Sequence, residues 1–222
     1  MSEDKQRCYM FAGPTLLSVP SELIGDHCIE ICPPARRGDI ARLVDRHGPA
    51  HIALVDGTFH SYPSVGHAEI LNALRCGWKV VGLCSMGAIR ACEMRTLGMR
   101  GFGRIYRQFV EDEEFADDEV ALLHSSDPPY APISEPLVHI RAFIRHLVDQ
   151  NLLGQGNGAR VISTMKERWY GYRTLAKLRT LLVSEMNQVD SASLAREIAS
   201  FDRFQLKTHD LVEFIAKRAW VN

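Results

Sequence analysis

The sequence predicts an α/β fold: a doubly wound, mostly parallel sheet of about five strands with a helical C-terminal part. Three observations predict it. Short apolar runs recur at 8–12, 28–32, 51–55 and 80–84, with segments of helical periodicity between them. Alternation at that pitch builds parallel strands joined by right-handed crossovers. Beyond residue 128 the strand-like runs stop and the remaining periodic segments are helical. A length of 222 residues suits one large domain or a domain with a smaller extension, and 46% hydrophobic residues are enough to fill its core. The expected division is an α/β core over 1–127 and a helical region over 128–222, with Pro128, Pro129 and Pro132 marking the linker.

The first strand, 7–12, is apolar and stops at Gly13-Pro14. Thr15 follows, a hydroxyl placed to cap or to bind an anion near the strand's carboxyl end. A helical turn at 21–24 leads to a second strand, 28–32. Pro33-Pro34 closes it, since proline neither donates to a ladder nor continues a strand. Asp39 is the expected N-cap of a helix over 40–47 with Ile40, Leu43 and Val44 at helical spacing. The third strand, 51–55, runs into Asp56-Gly57-Thr58-Phe59-His60. An acidic residue and a glycine at a strand's carboxyl end are common where open parallel sheets bind ligands. A helix over 67–75 buries Ile70, Leu71 and Leu74 and ends at Gly77, as a C′ glycine would end it.

The fourth strand opens the most informative stretch. Val80 to Leu83 read as strand, Cys84-Ser85 as a turn of small residues, and Met86 onward as helix. Such a turn holds a side chain above the sheet beside the free N–H groups of the helix start. Ser85 with Gly87 two residues on is similar to a serine-hydrolase nucleophile elbow, although Leu83 stands where that motif has glycine. Taken alone, the segment reads more readily as a tightly packed βα turn than as a site. Three glycines over 98–103 then predict a tight loop that buries Met99, Phe102 and Ile105. The carboxylates at 111–114 and 117–119 read as a solvated edge, with Asp118 or Glu119 as an alternative that faces the rim. Val120 to His124 reads as the fifth strand. Ser134 is the expected N-cap of a helix whose buried stripe is Leu137, Ile140, Ile144, Leu147 and Val148. Further helices are expected at 162–169, 175–186, 193–200 and 209–220.

Charge is balanced, 26 Lys+Arg against 27 Asp+Glu, which leaves no footprint for nucleic acid or an anionic membrane surface. No apolar run approaches the roughly 20 residues of a spanning helix. The first seven residues are charged and lack a signal-peptide core, so the expected address is cytoplasmic. Cys8, Cys28, Cys32, Cys76, Cys84 and Cys92 include no CxxC pair, and most lie in apolar patterns. Neither a disulfide nor a structural metal is expected, and no cofactor motif is present.

Read together, the stretches Phe11-Ala12-Gly13-Pro14-Thr15-Leu16, Asp56-Gly57-Thr58-Phe59, His67-Ala68-Glu69-Ile70-Leu71 and Ser85-Met86-Gly87-Ala88-Ile89-Arg90-Ala91-Cys92-Glu93 resemble, in that order, the TfuA-like proteins. Gly98-Met99-Arg100-Gly101-Phe102-Gly103, Asp117-Asp118-Glu119-Val120-Ala121 and Ser134-Glu135-Pro136-Leu137-Val138 continue the match. Cys84, where the family typically has a small residue such as serine, and Gly66, in place of a bulky aromatic, depart from the pattern. The resemblance implies peptide backbone thioamidation beside a YcaO-type ATP-dependent enzyme. It also implies that sulfur is released by hydrolysis of the C-terminal thiocarboxylate of a ThiS-type sulfur carrier. Such a hydrolysis needs a nucleophile, a base and oxyanion donors. Ser85 is the first candidate nucleophile and Cys84 the second. The Gly13 and Gly87 N–H groups are candidate oxyanion donors. His67 or His60 is the candidate base, and Asp56 an orienter or proton acceptor. Arg90 is a candidate for attracting the carrier's tail, or it simply pairs with Glu93. Gly13, Gly57 and Gly87, with Thr15, Arg90 and Glu93, form the expected binding set for a narrow glycine-tail groove. Two other readings stay open: a non-catalytic module that docks the carrier to the YcaO enzyme or stimulates it, and a stand-alone serine hydrolase. Trp169, Tyr170 and Trp220 offer aromatic surface for a partner, a homo-oligomer included.

Overall fold

A computed structural model of the chain describes residues 7–59, 62–185 and 191–221. His60, Met186 and residues 1–6 lie outside the described residues. The sheet has five parallel strands in the order β2-β1-β3-β4-β5. They are β1 (Cys8–Phe11), β2 (Ile29–Cys32), β3 (His51–Leu54), β4 (Lys79–Gly82) and β5 (Arg100–Gly101). The registers run Cys8 to Phe11 against both Ile29 to Cys32 and His51 to Leu54.

Between the strands lie α1 (Ser21–Ile24), α2 (Asp39–Arg46), α3 (His67–Arg75) and α4 (Met86–Glu93), with α5 (Gly103–Glu111) after β5. Side chains alternate between the two faces of the sheet, as pleating requires. Tyr9, Phe11, Ile52, Leu54 and Val80 pack with Ile40 of α2, Ile70 and Ala73 of α3, and Ala91 of α4. Cys8, Met10, Ala53, Val55, Val81 and Leu83 pack on the opposite face with Leu211, Phe214 and Ile215 of a helix from far along the chain, α10 (Leu206–Ala216), and with Trp220 beyond it. Full burial of a side chain such as Leu211 or Phe214 stabilises by about 1.5–3 kcal/mol. That contribution anchors α10 to the sheet. Arg100 fixes the stretch after the helix by donating to the Ala219 carbonyl at 2.7 Å.

The chain accordingly forms two compact units, Met1–Asp117 with Lys207–Asn222, and Asp118–Leu206. The sheet unit is discontinuous in sequence. In the helical unit, α6 (Leu137–Asp149), α7 (Gln155–Lys166), α8 (Leu175–Glu185) and α9 (Ser191–Ala199) enclose a core of Leu137, Ile140, Phe143, Ile144, Leu147, Val161, Leu178, Leu182 and Phe201. Phe143 meets Phe201 and Phe204 edge-on. No helix among the described residues is long and apolar enough to cross a membrane.

Three expectations need correction. The fifth strand is the two-residue β5, not Val120 to His124. In that stretch Asp117–Glu119 forms a 3-10 turn, and His124 makes an isolated bridge to Pro132. Ser134 caps no helix: α6 starts after Pro136, and the Ser134 hydroxyl accepts the Leu123 N–H at 2.8 Å. Asp39 is the first residue of α2, not its cap; Gly38 holds that place at φ 89°.

Candidate functional site

The strand order makes the chain step from β1 outward to β2 and then back across β1 to β3. At that switch the loops leaving the carboxyl ends of β1 and β3 diverge, which opens the crevice where such sheets bind ligands. Asp56, two residues past β3, fills it and is only 2% exposed. Its Oδ2 accepts the Gly13 N–H at 2.9 Å and the Thr15 N–H at 3.0 Å, and its Oδ1 accepts the Thr15 hydroxyl at 2.7 Å. The structure thus joins three of the sequence candidates. It also commits the Gly13 N–H and the Thr15 hydroxyl to Asp56, which corrects their expected roles toward an oxyanion or an anion.

A fourth group completes the cluster, and the sequence reading missed it. Lys207, in the first turn of α10, is 2% exposed and places Nζ 3.6 Å from Asp56 Oδ1. A carboxylate offers about four acceptor sites. Three bonds and the facing ammonium occupy those of Asp56, so it positions Lys207 and has little left with which to accept a substrate proton. The signal for Lys207 was its spacing: it precedes the buried Leu211 and Phe214 by four and seven residues, on the apolar stripe of α10. Thr208 and Asp210 share that buried side. Asp210 is fully buried and accepts the Ile105 N–H at 3.0 Å, and so caps α5 from another element. Gly103 permits this approach, because a Cβ there would lie 2.4 Å from Asp210 Oδ2.

The turn after β4 has its kink one residue earlier than the motif reading placed it. Cys84 carries the left-handed conformation, φ 65°, while Ser85 is the N-cap of α4 at φ −136°. A non-glycine residue in that region stores roughly 1–3 kcal/mol, held there by its surroundings. The surroundings are tight: a Cβ on Gly87 would lie 1.6 Å from the Leu54 carbonyl oxygen, and one on Gly82 2.0 Å from the Gly87 carbonyl oxygen. Gly87 therefore serves the packing of α4 on the sheet, and its N–H points to Val55 O at 3.3 Å rather than into an oxyanion site. Gly57 likewise abuts Met86 and leaves no groove, since a Cβ there would meet Met86 Cγ at 2.8 Å.

Cys84 is fully buried and its thiol donates to the Lys207 carbonyl at 3.2 Å. Burial, then the nearby Asp210 and Asp56 carboxylates, push that thiol well above its ordinary value, so it stays protonated and weakly nucleophilic. Ser85 is 2% exposed.

His67, Arg90 and Glu93 form a separate group. His67 Nε2 lies 2.8 Å from Glu93 Oε2, which also accepts from Arg90 Nη1 at 2.7 Å. Arg90 donates further to Val65 O and to the Ser64 hydroxyl. Glu93 ends α4, and eight residues of helix put it about 12 Å along the axis from Ser85. His67, with its side chain 54% exposed, is thereby removed from the elbow as a base, and Arg90 is a clamp on the loop before α3 rather than a receptor for a tail. Asp118 and Glu119 belong to the helical unit, where Arg173 and Arg141 bind them.

For a metal, Asp26, His27 and Cys28 bring donor atoms within 4.8 Å of one another. Asp26 is already engaged by the Cys28 N–H and Arg218. No curated protein matches the chain. A family profile described as TfuA-like protein matches residues 56–174, which is more than half of the sequence, and the chain therefore belongs to the TfuA-like family.

Proposed function

We propose that this protein hydrolyses the C-terminal thiocarboxylate of a small ThiS-type sulfur carrier and so supplies sulfide to a YcaO-type enzyme that thioamidates a ribosomal peptide or protein. Family membership supports a role in thioamidation. The observation that carries the hydrolytic reading is the buried Asp56–Lys207 pair at the switch point, next to a left-handed turn that ends in Ser85. In the first step the Ser85 Oγ bonds to the thiocarboxylate carbon and the carbon–sulfur bond breaks. The hydroxyl proton leaves with sulfur as hydrosulfide. Water then cleaves the ester, which frees Ser85 and leaves a carboxylate and a proton.

The test is to incubate thiocarboxylated carrier with the protein alone and to measure sulfide. Wild type releases it without any YcaO enzyme. Ser85→Ala lowers the rate about 1000-fold or more, as removal of a nucleophile does, whereas Cys84→Ala stays within about threefold. Sulfide release that survives in Ser85→Ala removes that residue as nucleophile and keeps the reaction. Absence of release by wild type removes the reaction.

One observation favours a second reading. Thr15, Asp56, Ser85 and Lys207 are all at most 4% exposed, a closed arrangement suited to a module that docks the carrier or stimulates its partner without chemistry. The same assay separates the two.

A further inference from the structure

We propose that a cleft in the helical unit binds a short acidic segment of another protein, with an aliphatic side chain in the cleft and carboxylates on Arg168 and Lys177. The proposal concerns the helical unit alone and does not depend on the hydrolytic reading above.

The cleft lies between α7 and α8 and holds about 290 Å³. Met165 lines it from α7 and Leu181 from α8, and both pack into the hydrophobic core of the unit, so the apolar wall is backed by fixed side chains. Its volume is near the lower end of ligand clefts, room for a side chain rather than a large cofactor. Tyr172, in the 3-10 turn Tyr170–Tyr172, closes one side. Arg168, two residues past α7, and Lys177, in the first turn of α8, supply the charge.

Charge selects the occupant. From Arg160 to Glu185 the chain has six basic residues and two acidic ones, although its net charge is -1 overall. Three of the six are paired, Arg160 with Glu185, Lys166 with Glu119 and Arg173 with Asp118. Among the described residues Arg168, Lys177 and Arg179 form no ion pair. The Lys177 ammonium lies 5.5 Å from the centroid of the Tyr172 ring, an attraction that holds it at the cleft. The first turn of α8 thus carries a lysine and no acidic residue, the reverse of what the helix dipole favours. A carboxylate from a partner satisfies the lysine and the dipole together.

The aromatic residues point the same way. Of those expected at a partner surface, Tyr170 and Trp220 are buried, whereas Trp169, beside Arg168 in sequence, is 57% exposed. Tyr172 is 52% exposed. Exposed Trp, Tyr and Arg side chains together are the types that carry most of the binding energy at protein interfaces. A nucleic acid fits less well, since three unpaired cations make a poor track for a phosphate backbone and the wall of Met165 and Leu181 is aliphatic.

The test is fluorescence anisotropy on the whole chain, with a labelled glutamate peptide of about ten residues that carries one central leucine. Wild type binds it. Glutamine in place of the glutamates, or alanine in place of the leucine, weakens binding about tenfold. Arg168→Gln combined with Lys177→Gln weakens the acidic peptide about tenfold and leaves the glutamine peptide unchanged. Thr180→Trp, at an exposed position on the cleft wall, fills the space and removes the preference for leucine over alanine. Arg179→Gln, which alters an unpaired cation outside the cleft, leaves binding unchanged. Absence of binding by wild type at millimolar peptide overturns the proposal. So does an equal affinity for a uridine oligonucleotide of the same charge, or an equal loss in Arg179→Gln, because either makes the face a non-specific basic surface.

Discussion

The two compact units each bury a cation, and they treat it differently. In the helical unit the Arg173 guanidinium, 1% exposed, donates to the carbonyls of Met165 and Asp118 at 3.0 and 2.6 Å and to the Asp118 carboxylate at 2.6 Å. It staples the end of α7, the turn before α8 and the start of the unit. In the sheet unit Lys207 faces Asp56 at 3.6 Å, and the carboxylate's own bonds run to Gly13 and Thr15. A fully clasped fork is what a fold needs to hold itself together. In the sheet unit it is the carboxylate that does the tying, because the bonds of Asp56 join the loop after β1 to the end of β3.

That contrast breaks most sharply on stability. Arg173→Met leaves Asp118 and the carbonyls it served without their donor, and is expected to cost about 3–5 kcal/mol, seen as a large fall in the urea midpoint. Lys207→Met removes the charge facing the buried Asp56 carboxylate but leaves that carboxylate its three N–H and O–H donors, and is expected to cost about 3 kcal/mol, the lower end of that range. A loss for Lys207→Met as large as that for Arg173→Met would make Lys207 a second staple.

Gly87→Ala sharpens the comparison from the sheet side. Its Cβ would fall 1.6 Å from the Leu54 carbonyl oxygen, so α4 must move off the strands. The expected loss is about 2–3 kcal/mol. Hydrogen exchange should rise over 79–94 and stay unchanged over 137–166.

The smallest effect is in the pH profile. Burial, and then Arg104, hold the His209 imidazole below its ordinary value, against a weaker upward pull from Asp210. The unfolded chain therefore takes up the proton first as pH falls. The contribution of His209 is fully present above about pH 6.5 and declines below it. The melting temperature of His209→Gln is expected to fall less steeply between about pH 6.5 and 5 than that of wild type.

Much of the sheet unit was legible. β1 to β4 and α2 to α4 announce themselves because each apolar run is bounded by proline, glycine or a charged residue, and because strands buried on both faces read as unbroken apolar runs. β5 was not legible. Two residues carry no period, and Arg100-Gly101 becomes a strand only through Val81 and Gly82 beside it. Val120 to Leu123 misled for the converse reason: a four-residue apolar run looks the same whether it enters a sheet or a core. The meeting of Asp56 with Gly13 and Thr15 was legible because residues at carboxyl ends of neighbouring parallel strands converge. Lys207 was not, because it lies 151 positions after Asp56 in sequence, and only packing brings α10 to the rim. The roles of Gly57 and Gly87 were misjudged because sequence shows that a side chain is missing but not what presses into its place.

The discontinuity of the sheet unit has a consequence for the order in which the protein is made. A ribosome that has translated as far as Leu206 has supplied all five strands and the whole helical unit, yet Asp56 still has no ammonium opposite it and Cys84 no carbonyl above it. Strand pairing can begin early, but the crevice cannot close until the stretch after residue 206 returns to it. The Asp56–Lys207 pair is therefore assembled only after the five strands and the helical unit have been made.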